Sequence, residues 1–175
     1  MVRRIVLIGI ALLGTGTVLA AELTDFVPAE DGAAACWQRV YDGAHLAAHP
    51  DQQVTAMTLS MTFEKYDAAD TGMHYFAVDV ALRDGRKGTT AGGCWVYDGA
   101  VRCGVDCDGG GLELSLDGSG NLRADLEAYG YVRIESECGG GEEADTFELL
   151  PGIDDKLFLL HRAEAKVCKG LLPSW

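Results

Sequence analysis

The sequence predicts a mainly β protein, a small antiparallel barrel or two-sheet sandwich of eight or nine strands with one N-terminal helix, stapled by disulfides. Three observations carry that prediction. From Val54 onward apolar residues recur at every second position, the period of a strand with one buried face. Glycine-rich turns separate these runs, and 23 of the 175 residues are glycine. The six cysteines form an even set in a chain that opens with an export signal.

The opening residues 1–20 carry Arg3 and Arg4, then the apolar run Ile5 to Leu13, then small residues ending at Ala20. That order is a cleaved secretory signal peptide, too short and too broken by Gly14 to Thr17 to span a bilayer. Residues 21–175 form one β-rich domain, since a chain of ~100 to 200 residues buries a single core. No cysteine stands at the first mature position, so no lipid anchor is expected. Residues 31–49 are predicted as one helix: Asp31 is the N-cap, Trp37, Val40, Tyr41, Ala44 and Ala48 share a face, and Pro50 ends it.

Met57, Leu59, Met61 and Phe63 then alternate with polar residues, as do Phe76, Val78, Val80 and Leu82, and Asp84-Gly85 turns the chain. A hairpin follows about Asp98-Gly99. Leu112, Leu114 and Leu116 precede Leu122, Ala124 and Leu126, which precede Val132 and Ile134. Folding about 117–121 sets Leu116 opposite Leu122, and folding about Tyr129 sets Leu126 opposite Val132, an antiparallel meander that favours the barrel. Two last strands lie near residues 146–150 and 156–161.

The hairpin register is explicit. If Asp98 and Gly99 are its two loop residues, Tyr97 faces Ala100, Val96 faces Val101, Trp95 faces Arg102 and Cys94 faces Cys103. The cysteines fall on a non-hydrogen-bonded pair, where side chains approach most closely, and a Cys94–Cys103 disulfide is expected. The same register puts Trp95 beside Arg102 on the opposite face, a pair that can stack as ring and cation. Strand direction joins Cys138 to Cys168 and leaves Cys36 with Cys107; the alternative is Cys36 with Cys168 and Cys107 with Cys138.

Losing Arg3 and Arg4 with the signal leaves 12 basic against 27 acidic residues, a mature charge of −15. Such a surface disfavours nucleic acid and anionic lipid. His45 and His49, four apart, have the spacing of a zinc or copper clamp, against the simpler role of capping a helix end. Asp106 and Asp108, with Glu113 as a third ligand, suit calcium, against the simpler role of a tight turn. Ser119 lacks the outer spacing of a nucleophile elbow, and no carboxylate pair shows contrasting surroundings. Trp37, Trp95, Tyr97 and Trp175 are the candidate aromatic anchors for a partner. The expectation is a periplasmic or secreted non-enzymatic binding domain for a small apolar ligand or another exported protein. The alternatives are an envelope-associated structural domain and a hydrolase with a scattered site.

Overall fold

A computed structural model describes residues 21–66, 71–135, 146–153 and 155–171. Eight strands close into an antiparallel barrel: β1 (Ala34–Val40), β2 (Val54–Lys65), β3 (Gly72–Leu82), β4 (Lys87–Tyr97), β5 (Ala100–Val105), β6 (Gly111–Leu116), β7 (Leu122–Asp125) and, after an excursion, β10 (Leu157–Arg162), which returns to β1. The excursion contains β8 (Val132–Ile134) and β9 (Phe147–Leu149), a separate two-stranded sheet. Two short helices, α1 (Leu23–Phe26) and α2 (Gly43–Ala48), and a 3-10 turn (Ala165–Cys168) complete the described fold.

The period-two residues face inward. Met57, Leu59, Met61 and Phe63 of β2 pair with Val80, Val78, Phe76 and His74 of β3, and all are buried. Trp37, Phe76, Phe158, Met57, Leu114, Leu122 and Leu160 are each under 2 % exposed, and they belong to one continuous core. An eight-stranded barrel is just wide enough for its own side chains to fill or for one small ligand to occupy. On β4 the inward positions are small: Gly88 pairs with Val80, and a Cβ added there would stand 2.5 Å from the Ile134 Cγ2. The missing side chain makes room for β8, which lies over that end with Val132, Ile134, Phe147 and Leu149 buried. At the other end α1 sets Phe26 edge-on to Trp37, with ring centroids 6.4 Å apart, and the buried His74 donates its Nε2 proton to the Val27 carbonyl at 2.8 Å.

The expected hairpin register is present pair for pair from Tyr97↔Ala100 to Cys94↔Cys103. Asp98 at φ 52° and Gly99 at φ 76° are both left-handed, as a two-residue turn of this hand requires. The Cys94–Cys103 disulfide joins Cα atoms 4.1 Å apart. Leu116 also faces Leu122 as expected.

Four expectations need correction. Residues 34–40 are strand β1, not the middle of a helix; the helix is confined to Gly43–Ala48, Asp42 caps it, and Asp31 instead accepts the Lys65 amide. The meander stops at β7, because the second edge of β7 pairs with β10, and β8 pairs with β9. Arg102 lies over the Tyr97 ring at 4.9 Å rather than over Trp95, whose ring covers Gly104. Both contacts run along the same diagonal of the twisted two-stranded ribbon. Finally, Cys36 bonds Cys168, with Cα atoms 5.9 Å apart, so neither Cys138–Cys168 nor Cys36–Cys107 forms. The 3-10 turn brings Cys168 back to β1, a return that strand directions alone do not reveal. Cys107 is itself disulfide-bonded. Cys138, Trp175 and the signal segment 1–20 lie outside the described residues.

Candidate functional site

The barrel closes least completely between its first and last strands. β1 and β10 share only the pairs Trp37↔Arg162 and Gln38↔His161, with Ala163 donating to the Cys36 carbonyl beside them. Beyond Gln38 the ladder ends, although β1 stays paired to β2 as far as Val40↔Ala56 and β10 stays paired to β7 as far as Leu157↔Asp125. In the opening lies a recess of about 230 Å³ lined by Arg39, Tyr41, His45, His49, Gln52, Leu157 and Leu159.

A column of planar groups forms one wall. The Arg39 guanidinium lies 5.2 Å from the centroid of the Tyr41 ring, which stacks on His45 at 4.7 Å, which stacks on His49 at 4.3 Å. The helical spacing of four places the two imidazoles on adjacent turns of α2. The short helix is held at both ends: the Asp42 carboxylate accepts the His45 amide at 2.7 Å, and the Arg83 guanidinium donates to the carbonyls of Leu46 at 2.6 Å and His49 at 2.8 Å. Buried Asp155 accepts the amides of Gln53 and Val54 and so fixes the segment that joins α2 to β2. Burial pushes the Tyr41 phenol up from its ordinary range; the Arg39 charge opposes this, and the Asp155 carboxylate reinforces it.

The opposite wall is apolar. Phe158 and Leu160 point into the core, whereas Leu157 and Leu159 stand outward, 44 % and 41 % exposed. Arg39 pairs with Met57, whose side chain is in the core, yet its guanidinium contacts the Nε2 of His161, which stands on the outer face of β10. It reaches across through the opening in the seam. The other nitrogen of His161 bonds the Asn121 side chain, which in turn donates to Asp117.

The sequence-predicted site residues are distributed unevenly around this groove. His45 and His49 line it, but each already donates one ring proton, to the Gln52 side chain at 3.0 Å and to the His45 carbonyl at 3.1 Å. Their rings are within 21° of parallel, so the remaining lone pairs, which lie in the ring planes, do not converge on a common point. Asp106 and Asp108 sit in a tight turn in which Cys107 and Asp108 both have φ 59°, and Glu113 is drawn away to Arg102 at 3.3 Å. Among the described residues no group of three or more His, Cys, Asp or Glu side chains could hold a metal ion. Trp37 is fully buried and donates its indole proton to the Gly120 carbonyl. Trp95 and Tyr97 remain on the outside, 43 % and 59 % exposed, on the stapled hairpin.

Arg39, Tyr41, Gln52, Leu157, Leu159 and His161 were not singled out by their sequence. One signal was available: Leu157 and Leu159 alternate with Phe158 and Leu160, so β10 has large apolar residues on both faces. A second recess, about 260 Å³, lies beside the Cys36–Cys168 disulfide and is lined mainly by small residues such as Ala34, Ala35 and Ala163.

No family model, curated protein or solved structure matches the chain. Among the described residues no helix is long and apolar enough to cross a membrane.

Proposed function

We propose that the mature chain is an exported, non-catalytic binding module that holds another exported protein on the outside of its barrel, at the groove between β1 and β10. The observation that carries this reading is the groove itself. Arg39, Tyr41, His45 and His49 stand there against two outward leucines, while the barrel interior is occupied by the protein's own side chains. Large buried side chains, Trp37, Phe76, Phe158 and Leu122 among them, take up interior space, which favours a partner on the outside over a small ligand within. Disulfides persist in oxidising compartments, and Cys36–Cys168 and Cys94–Cys103 support a periplasmic or secreted setting. An envelope-associated structural domain would suit the same barrel, but it gives no reason for apolar side chains beside a cation in an open seam.

Photo-crosslinking in the producing cell tests the proposal. With p-benzoylphenylalanine in place of Leu159, a single adduct of discrete mass is expected. It should be missing when the probe replaces Ser115, exposed on β6, and lost when Arg39→Glu is added without change in melting temperature. The same adducts from both positions, or none from Leu159, would contradict it.

A further inference from the structure

We propose, resting on the groove as the recognition site, that it takes an extended segment of the partner as an added β-strand, hydrogen-bonded to the free edge of β10, with an acidic side chain of that segment on Arg39. Backbone direction is the basis. Successive residues of a strand turn their N–H and C=O groups to alternate edges. On β10 the Lys156 carbonyl accepts the Leu126 amide, so even-numbered residues face β7. The Ala163 amide donates to the Cys36 carbonyl, so odd-numbered residues, Leu157 and Leu159 among them, face β1. On β1 the Tyr41 amide donates to Thr55, which turns odd-numbered residues to β2 and leaves Val40 facing β10. The β1–β10 ladder stops at Gln38↔His161. The main-chain groups of Leu157, Leu159 and Val40 therefore point into the groove, beyond the last pair of the β1–β10 ladder.

The chemistry of the occupant follows from that edge. Leu157 and Leu159 repeat a donor and an acceptor about 6.8 Å apart along the strand, a spacing matched by another extended backbone. The outward side chains of the two leucines offer apolar contact to alternate residues of such a segment. Arg39 supplies the charge selection. In a mature chain of net charge −15 it stands with His45, His49 and His161 at the seam, so an acidic residue gains a partner there that most of the surface denies it. A basic segment would be attracted to the molecule at large and repelled at this point.

The test is an NMR titration of the ¹⁵N-labelled mature protein, residues 21–175, with an end-blocked peptide that alternates valine and glutamate. Three analogues accompany it: two N-methylated on alternate residues, one in each register, and one with lysine for glutamate. The largest amide shifts are expected at Val40, Leu157 and Leu159. N-methylation of one register should weaken binding by about tenfold or more, since it removes the main-chain donors that face β10. Arg39→Glu should reverse the preference between the glutamate and lysine peptides. Equal binding of the parent and both N-methylated peptides would overturn strand addition while leaving the groove, tested by the crosslink, standing. No shift at Leu157 and Leu159 under saturating peptide would overturn it too. So would a dimer of the free protein that Leu159→Arg dissociates, because a second copy would then fill the groove.

Discussion

Gly110 and Gly120 both have left-handed backbones, at φ 73° and φ 78°, but their surroundings differ. A Cβ at Gly110 would stand 2.1 Å from the Tyr131 carbonyl oxygen, where the chain entering β6 is bridged to Val132, whereas a Cβ at Gly120 meets nothing within 4 Å. Left-handed backbone costs an alanine ~1–2 kcal/mol, and a collision with main chain adds to that. Gly120→Ala should therefore cost about 1 kcal/mol in denaturant unfolding and Gly110→Ala at least about 3 kcal/mol. Equal costs would show that the β8 contact with the barrel is looser than described. The same loop explains a limit of sequence reading. Asp106 and Asp108 beside three glycines suggest a cation loop, but the glycines serve close approach of main chain, because Gly110 lies under Tyr131 and Gly111 donates to it. Composition does not distinguish the two uses, because both need a flexible backbone and small side chains.

Strands were legible where their partners are near in sequence. The β4–β5 hairpin follows from one dipeptide, and Leu116 opposite Leu122 follows from one short turn, because a tight loop sets register by itself. β1 was not legible. Ala35, Cys36 and Trp37 are all buried, Trp37 in the core and Cys36 in a disulfide to the 3-10 turn, so the alternation that marks a strand is lost there. Trp37, Val40, Tyr41 and Ala44 then matched a helical period by default. No tight turn sets its register from either side: residues 41–53 separate it from β2, and β10 lies near the other end of the chain. The staples Cys36–Cys168 and Cys94–Cys103 differ in what they enclose. Cys36–Cys168 spans 132 residues and Cys94–Cys103 spans 9, and chain entropy alone assigns about 5 kcal/mol to the first and about 3 kcal/mol to the second. The paired replacement Cys36→Ser with Cys168→Ser should lower the melting temperature more than Cys94→Ser with Cys103→Ser. The reverse order would mean that the C-terminal turn contributes little to holding the barrel closed.

The described residues form a barrel around a core of its own side chains, covered by α1 at one end and by β8–β9 at the other, and incompletely sealed along one seam. The mainly β class was readable from periodicity. The seam was not, since it depends on where two strands nearly a whole chain apart cease to pair, and with it the grouping of Arg39, Tyr41, Leu157 and Leu159 stayed hidden. The spacing of His45 and His49 suits a metal clamp in the sequence, and in the fold it stacks their rings along a wall. Both the proposed binding role and the strand addition rest on an open edge at β10. Amide hydrogen exchange in the free protein tests that edge most directly, because Phe158 and Leu160 are laddered to β7 while Leu157 and Leu159 face the groove. An open seam predicts alternation, with Leu157 and Leu159 exchanging at least about a hundredfold faster than Phe158 and Leu160. Uniformly slow exchange across all four would mean that the seam is sealed and that no strand can be added there.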